Sequence, residues 1–394
     1  MIYLLVFILL LIPVVKYDWM AKTGGENVWY YLSLIVLILF SGLRYRVGSD
    51  TLMYMSMFES CPTLDELKYF DFAEAKYNPL WYVLNAISRS IYDNFVVLQF
   101  IHSIFINTTF FWFFRKYSPK YYFTAILLYY VGYFCYFNME IMRESLCISV
   151  LLLATPFLLK RNIIAYLLLC VCALLIHYSA AIMLLFPLLY LLFKKASWKR
   201  CVLLMLGVIL LMQVVNLPML LLSVFGLNEQ LIDLLATYVE DERNIMGVIS
   251  EFINCLPILI CIWLCEKNDF VEKNDFTPII MVTVAIYALA MGIGIFSRFV
   301  NYSTPFIIIY IVNSVYKVFY LKLKDFQISY LASFCILSIF CFNMLRFYTK
   351  DVSDVLPNTR AYVRYLPYYS LLNPKIDEAR ERFVENDREV EFNF

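Results

Sequence analysis

The stretch RYRVGSDTLMYMSMFE, residues 44–59, follows directly on the apolar run 28–43. It gathers two arginines, a glycine and two carboxylates close to the end of that run: Arg44, Arg46, Gly48, Asp50 and Glu59. Such a cluster is either a functional site or the solvated flank of a membrane helix, because both put charge at a membrane edge. The rest of the sequence has to distinguish the two.

The composition is that of a polytopic membrane protein. Of the 394 residues, 62% are hydrophobic and 16% charged, with a mean hydropathy of +0.72. Soluble chains average about 25% charged residues. The net charge of +1 gives no electrostatic argument for nucleic acid as a partner. The eleven cysteines lie in or beside apolar runs, except for Cys61 in a loop, so they are expected to pack as small hydrophobic side chains.

Apolar runs of the length that a bilayer requires recur along the chain. A transmembrane helix needs ~20 apolar residues, and on that measure we predict an all-α polytopic membrane protein with about twelve transmembrane helices. The predicted spans are 1–15, 28–43, 94–114, 121–138, 139–159, 162–177, 179–193, 201–215, 251–266, 277–297, 299–316 and 327–346. The first lacks a basic n-region and a small-residue cleavage site, so we expect a helix rather than a removed signal.

Two further apolar pieces, 79–93 and 217–227, are predicted to lie in the membrane interface. The spans form a transmembrane domain over residues 1–346. Residues 347–394 form a polar tail that is predicted to be partly helical.

The basic residues of short loops predict the orientation. Loops 115–120, 160–161 and 194–200 are rich in Lys and Arg and are therefore expected in the cytoplasm. This puts the loops 44–93 and 216–250 on the outer side. The side of the tail stays open, because it changes if either interfacial segment crosses the bilayer.

Three hairpins place a cationic or titratable side chain at a similar depth. Arg143, His177 and Arg298 each lie one span from a basic cytoplasmic segment, which corresponds to ~24–28 Å of helix. We expect all three near the outer edge of the hydrocarbon, where an ionisable residue is by default a functional candidate.

The other charged residues that we expect on the outer side have two explanations each. Arg44 and Arg46 are either headgroup anchors or a phosphate clamp. Asp50 is expected to cap the helix 51–60, to act as a catalyst, or both. Glu140 lies at i, i−3 from Arg143, so the two form either a self-neutralising pair or part of a site.

The two histidines are predicted to differ. His102 lies in mid-span beside Ser103 and Asn107 and is expected to be a hydrogen-bonded interior residue. His177 either polarises a phosphate or moves a proton, or else completes a turn. Glu240 and Glu242 are weak candidates for metal or sugar contacts, and no metal-ligand, P-loop or GxGxxG motif occurs.

Five segments together resemble the EpsG family. They are GLRYRVGSDTLMYMSMF (42–58), EAKYNPLWYVLN (74–85), MRESLCISVLLLA (142–154), LLIHYSAAI (174–182) and SRFVNYSTPF (297–306). The chain has Ser49 where such proteins often have threonine, and Glu144 where glutamine is frequent.

The resemblance, which extends to Wzy-type O-antigen and capsule polymerases, implies an activity. Such proteins polymerise undecaprenyl-diphosphate-linked oligosaccharide repeat units of a surface polysaccharide at the outer face of the cell membrane. It also implies a GT-C-like architecture without a metal or other cofactor. The implied partners are the lipid-linked oligosaccharides, the lipid bilayer, and a chain-length regulator and flippase of the same pathway.

This chemistry suggests roles for the candidate residues. Fixed cations would stabilise the negative charge of a leaving diphosphate, and a carboxylate would orient or deprotonate an acceptor hydroxyl. Arg44, Arg46, Arg143 and Arg298 are the expected diphosphate-binding residues. Asp50, Glu140 and His177 are the expected catalytic residues. Tyr54, Tyr77, Tyr178 and Tyr302 are the expected sugar-stacking or polar contacts.

Two other classes of protein stay open. A lipid-linked oligosaccharide flippase or other transporter would have charges at mid-membrane and internal repeats, neither of which the sequence shows. A membrane O-acyltransferase would use His102 or His177 with a cytosolic donor, whereas His177 is predicted on the outer side.

Overall fold

The chain folds into helices throughout the part that can be described. The computed structural model describes residues 1–72, 75–192, 197–214, 245–268, 276–292, 296–320, 326–353 and 355–392. In those residues it contains α-helices, short π and 3-10 segments and isolated bridges, with no strand. The helices are α1 (Ile2–Pro13), α2 (Glu26–Gly42), α3 (Ser49–Ser60), α4 (Pro79–Ile91), α5 (Phe95–Tyr117), α6 (Tyr122–Gly132), α7 (Met142–Leu159), α8 (Ile163–Leu174), α9 (Leu185–Leu192), α10 (Trp198–Val214), α11 (Ile245–Lys267), α12 (Thr277–Gly292), α13 (Phe296–Tyr320), α14 (Phe326–Thr349) and α15 (Glu378–Phe392).

Every predicted span overlaps a helix, which confirms an all-helical protein rich in apolar helices. Five helical segments among the described residues are long and apolar enough to cross a membrane. They are Ile2–Trp19, Phe95–Tyr117, Met142–Leu159, Val248–Lys267 and Tyr330–Thr349. Other apolar helices have 10–17 residues, short of the ~20 that a bilayer core requires. The chain is therefore membrane-embedded, while twelve spans and a GT-C-like arrangement stay predictions.

Two predicted boundaries differ from the observed ones. The predicted span 121–138 is not one helix, because α6 ends at Gly132 and a separate π segment follows at Tyr136–Glu140. The predicted loop 216–250 ends early, since α11 begins at Ile245. The predicted interfacial segment 217–227, with Glu240 and Glu242, lies outside the described residues.

The chain divides into two compact units. The first comprises residues 1–184 and 344–394, and the second comprises residues 185–343. In the second unit, α12 packs against α9, α10, α11 and α13. The first unit contains α1–α8 and the C-terminal segment with α15.

Small side chains allow α2 and α5 to pack closely in the first unit. A Cβ at Gly42 would overlap the ring of Phe100. One residue earlier, the hydroxyls of Ser41 and Ser103 hydrogen bond at 2.5 Å. The side-chain amide of Gln99 donates to the Gly42 carbonyl at 2.7 Å. Small residues and interhelical hydrogen bonds replace the hydrophobic effect in holding membrane helices together.

His102 is an interior residue, as predicted. It is 2% exposed. Its Nε2 lies 3.1 Å from both the Met142 carbonyl and the Ser145 hydroxyl, which ties α5 to the start of α7. One turn further along α5, the Asn107 amide donates to the Asn138 side chain at 2.9 Å. These bonds pair His102 Nε2 and the Asn107 amide in a low-dielectric interior, whereas His102 Nδ1 has no partner among the described residues.

The C-terminal segment folds back onto the end of α2. Tyr45 N donates to the Tyr369 carbonyl at 2.9 Å, and Gly48 N donates to the Arg364 carbonyl at 2.8 Å. Behind these hydrogen bonds, Leu52 of α3 joins a buried apolar cluster with residues of the C-terminal segment: Val352, Ala361, Val363, Phe383 and Val384. The polar tail of the sequence is therefore a structural part of the first unit.

Two charged residues of α15 complete this contact. Arg380 is 1% exposed and donates to three carbonyls, those of Arg46, Val363 and Pro367. The next residue, Glu381, accepts both Nε and Nη2 of Arg46 at 2.7 and 2.6 Å. This fork-to-fork pairing is the strong form of an arginine–carboxylate contact, and it raises the pKa of Arg46.

We expect Arg380→Ala to lower the stability of the first unit. Truncation leaves the carbonyls of Arg46, Val363 and Pro367 without their donor, at a cost of about 2 kcal/mol or more. The measurement is the apparent melting temperature of the detergent-purified protein. Arg382→Ala is the control, since its side chain is 70% exposed. Equal melting temperatures for both variants would contradict the role of Arg380.

The backbone hydrogen bonds between residues 43–48 and 364–371 also place those two segments on one side of the bilayer. We expect cysteines at the exposed positions Asp65 and Lys375 to react alike with an impermeant maleimide in intact cells. A cysteine at Lys160, at the far end of the candidate span α7, should behave oppositely. Wild-type protein gives the background of its native thiols. Opposite labelling of positions 65 and 375 would refute the shared side.

Candidate functional site

The turn between α2 and α3, residues 44–49, is built around a buried arginine. Arg44 is 1% exposed. Its guanidinium donates to the carbonyls of Ser41 at 2.6 Å and Val47 at 3.2 Å, and it reaches the Thr51 hydroxyl at 3.4 Å. Burial lowers the pKa of Arg44 to about 10, so the side chain stays cationic at neutral pH. Arg44 was predicted to contact diphosphate, but the donors of its guanidinium are directed at the protein.

The turn needs a glycine at position 48. Gly48 has φ +100°, in the left-handed region that other residues rarely adopt. A Cβ there would also clash with the backbone carbonyl and the Cβ of Met139. Arg46 has a positive φ of 54° as well, and it turns its side chain to Glu381.

A carboxylate from another segment caps α3. Glu140 is 2% exposed, and it accepts the backbone N–H of Ser49 at 3.0 Å and the Ser49 hydroxyl. A carboxylate is favoured at a helix N-terminus by the unpaired N–H groups and the dipole. The prediction that Asp50 caps this helix is wrong, because α3 begins at Ser49 and its N-cap is Gly48. Asp50 lies in the first turn instead and is half-buried.

The guanidinium of Arg143 lies against two tyrosines. Its Cζ is 4.4 Å from the ring centroid of Tyr77 and 6.0 Å from that of Tyr54. Burial raises the pKa of the Tyr54 phenol, the charge of Asp50 raises it further, and Arg143 opposes both. Asp50, Tyr54 and Arg143 are thus close enough to interact. We call Arg143, Tyr54, Tyr77 and Asp50 the Arg143 cluster.

One donor of Arg143 is not used by the protein. The side chain is half-buried, and among the described residues its Nε has no hydrogen-bond partner although the atom is buried. An unpaired buried donor costs about 1–3 kcal/mol. Such an atom in a native structure needs an explanation, which is strain, a catalytic role, or a bound water or ion. Arg143 therefore combines a fixed positive charge with unused hydrogen-bonding capacity.

His177 forms a local turn at the end of α8. Its Nδ1 accepts the backbone N–H of Ser179 at 3.2 Å and lies 2.6 Å from the Ser179 hydroxyl. A ring nitrogen that accepts a backbone N–H carries no proton, so in the neutral ring the proton is on Nε2. The turn is adjacent to the start of α4, because Asn78 donates to the Leu174 carbonyl at 2.8 Å. His177 and Tyr77 therefore belong to one region of the first unit.

The remaining predicted residues are placed as follows. Tyr178 is 69% exposed. Arg298 is an exposed residue of the first turn of α13, in the second unit, and Tyr302 is fully buried in the same helix. The shared depth of Arg298 with Arg143 and His177 stays a prediction. In the described residues, no group of three or more His, Cys, Asp or Glu side chains could hold a metal ion.

Sequence reasoning missed the residues that hold the 44–49 turn from a distance. Ser49 bridges α3 to Glu140, Thr51 accepts from Arg44, and Arg380 and Glu381 bind the turn from α15. The helical pattern of 375–390 gave a signal for α15 itself. Nothing in the local sequence around α15 indicates that Glu381 pairs with Arg46, which lies more than 330 residues earlier.

These features define a helical membrane protein in which a buried carboxylate holds the turn that leads into the cationic, aromatic-lined Arg143 cluster. The family model described as "EpsG family" matches residues 27–370, and the chain belongs to that family. Members of the EpsG family are Wzy-like polymerases, so the function is of the polysaccharide-polymerase type. No curated protein and no solved structure matches the chain.

We expect Gly48→Ala to disrupt the 44–49 turn. The positive φ and the clash with Met139 together should cost roughly 2–4 kcal/mol. Gly207→Ala in α10 is the matched control, because a Cβ there meets nothing within 4 Å. The comparison is of melting temperatures in detergent. If Gly48→Ala melts with the wild type, the turn does not depend on this glycine.

Proposed function

We propose that the protein polymerises oligosaccharide repeat units of a surface polysaccharide, each carried on undecaprenyl diphosphate. The reaction is a glycosyl transfer at the outer face of the cell membrane. The growing chain leaves its lipid carrier and is joined to the next lipid-linked unit. Membership of the EpsG family supports the class of reaction, and the Arg143 cluster supports the chemistry.

The observation that carries the proposal is the state of Arg143. Its guanidinium is fixed over the face of Tyr77 at 4.4 Å and retains a donor without a protein partner among the described residues. Planar guanidinium groups match phosphate oxygens, and a half-buried position strengthens the attraction. We assign the diphosphate of the donor lipid to this side chain.

The transfer itself places defined demands on the cluster. The bond between the anomeric carbon and the diphosphate oxygen breaks, and its electron pair stays on that oxygen. An acceptor hydroxyl forms the new bond to the anomeric carbon and releases its proton. Arg143 stabilises the charge that develops on the diphosphate. Asp50, half-buried and close to Tyr54, takes the proton as general base.

The other candidates act more indirectly in this proposal. Glu140 and Arg44 are positioning residues, because their polar atoms contact the 44–49 turn. Arg46 positions the same turn through Glu381. His177, with its proton on Nε2, acts as a donor to a phosphate oxygen rather than as a base. Arg298, which belongs to the second unit, stays a predicted diphosphate-binding residue.

The aromatic candidates and the partners complete the proposal. Tyr77 and the exposed Tyr178 contact sugar or diphosphate, whereas Tyr54 and Tyr302 pack within the protein. A flippase supplies the lipid-linked units to the outer face, and a chain-length regulator acts with the polymerase. The cell membrane is the proposed location, with the site facing the periplasm or exterior.

Reconstitution separates the proposed polymerase from a transporter. Purified protein in vesicles is given lipid-linked repeat units, and the products are resolved by length. Chain growth without an energy source is the expected result. Movement of lipid-linked units across the vesicle bilayer without chain growth would favour the flippase and overturn the proposal.

We expect Arg143→Ala to reduce chain growth by about 100-fold, the effect of removing a group that stabilises developing charge. Arg143→Lys keeps the charge without the fork and should retain partial activity. Arg115→Ala is the matched control, because Arg115 also lies over a tyrosine, Tyr30, at 4.7 Å. The rate of elongation is measured on folded, monodisperse protein. Near-normal elongation by Arg143→Ala would reject the assignment.

A further inference from the structure

A cleft in the first unit is lined by residues between 59 and 70 and by Arg89. Its volume is ≈ 530 Å³, within the ~300–1,000 Å³ range of small-molecule sites. Its lining includes carboxylates, a hydroxyl, aromatic rings and one guanidinium: Glu59, Glu66, Thr63, Tyr69, Phe70 and Arg89. Tyr69 is 84% exposed, so its ring is available to a ligand. Aromatic faces beside hydrogen-bonding groups suit sugars, which carry apolar faces and many hydroxyls.

A continuous series of ring contacts connects this cleft to the Arg143 cluster. Phe70, in the wall of the cleft, lies 4.8 Å from the ring of Tyr82 on α4. Tyr82 lies 6.2 Å from Tyr77, and Tyr77 lies under the guanidinium of Arg143 at 4.4 Å. Tyr82 itself is 8% exposed, so the three rings form one packed series that brings the cleft and the Arg143 cluster into the same part of the first unit.

The charges of the cleft select against anions. Glu59 and Glu66 are both exposed. The only cation among the lining residues, Arg89, is already neutralised, since it pairs with Asp93 at 2.8 and 3.1 Å and donates to the Cys61 carbonyl. Within the lining, a carboxylate on the ligand would meet two like charges, whereas Lys68, 5.5 Å from the Tyr69 ring, lies outside the lining residues. An uncharged sugar meets carboxylate acceptors for its hydroxyls.

We propose that this cleft is a saccharide subsite that binds uncharged sugar residues of the lipid-linked chain whose diphosphate is held at Arg143. The inference rests on the proposed function, and it adds the class of ligand, uncharged sugars, that the cleft binds. Tyr69 supplies the stacking face, and Glu59 and Glu66 accept hydroxyl hydrogen bonds and exclude acidic sugars.

The test is binding of free oligosaccharide to the full-length protein in detergent. The probe is the repeat-unit oligosaccharide released by mild acid from the lipid-linked pool of the cells. We expect Tyr69→Ala to weaken its affinity roughly threefold to tenfold, as for loss of one aromatic contact. Tyr92→Ala is the matched control, because Tyr92 is 68% exposed and lies outside the cleft lining. Absence of binding by wild type, or equal affinities for the two variants, would overturn the subsite.

Charge selection is tested with the same oligosaccharide after oxidation of its primary hydroxyls to carboxylates. Wild type should bind the oxidised form severalfold more weakly than the parent. The double variant Glu59→Gln, Glu66→Gln should reduce that difference, and glutamine keeps an acceptor for the Thr63 N–H that Glu66 now accepts. If wild type binds both forms equally, the selection is absent.

The two proposals fail in different ways. If the wild type extends chains, and Tyr69→Ala does so with the same rate and the same KM for substrate, the subsite is rejected and the polymerase is retained. Oligosaccharide binding that depends on Tyr69, in a protein that never extends lipid-linked units, would retain the subsite and reject the polymerase.

Discussion

The first unit depends on a buried carboxylate at the start of a short helix. The Glu140 carboxylate is buried, and α3 offers it donors, the N–H and the hydroxyl of its first residue, Ser49. The contact fixes the start of α3 against the segment that leads into α7. It thereby limits the distance between Asp50, one residue after Ser49, and Arg143, three residues after Glu140. Arg44, buried below the same turn, balances the charge.

The helices could be predicted from the sequence because apolar runs report burial directly, whether the surroundings are lipid or protein. Span 94–114 and helix α5, or span 139–159 and helix α7, agree closely. Interruptions of helices were harder to predict from the sequence. The break between Gly132 and Tyr136 falls in an apolar stretch, so hydropathy does not detect it. Asp50 looked like an N-cap because the pattern Gly-Ser-Asp-Thr offers several caps, and a carboxylate distant in sequence decided between them.

The arginines show why the site could be predicted only in part. In the sequence, Arg44, Arg46 and Arg143 share one description, a cation next to an apolar run. In the structure, the first is enclosed by carbonyls, the second is paired with Glu381, and the third rests on an aromatic ring with a donor to spare. Arg46 and Arg143 owe their environments to residues far away in the chain, Glu381 and Tyr77. The partners of Arg44 are only three to seven residues away, but its enclosure depends on a turn that hydropathy does not detect. Family membership indicates the class of reaction. The environment of each arginine is the basis for the proposed roles: positioning for Arg44 and Arg46, and diphosphate binding for Arg143.

The pairing of residues 43–48 with 364–381 has a consequence for biogenesis. The turn after α2 leaves the ribosome long before its partner Glu381, which is 335 positions later than Arg46. All of residues 185–343 are synthesised in the interval. Contacts of such sequence separation form late, because the intervening chain must first be ordered. The 44–49 turn therefore reaches its final contacts only after Glu381 has been synthesised, and a chain that stops before this residue holds an unfinished turn.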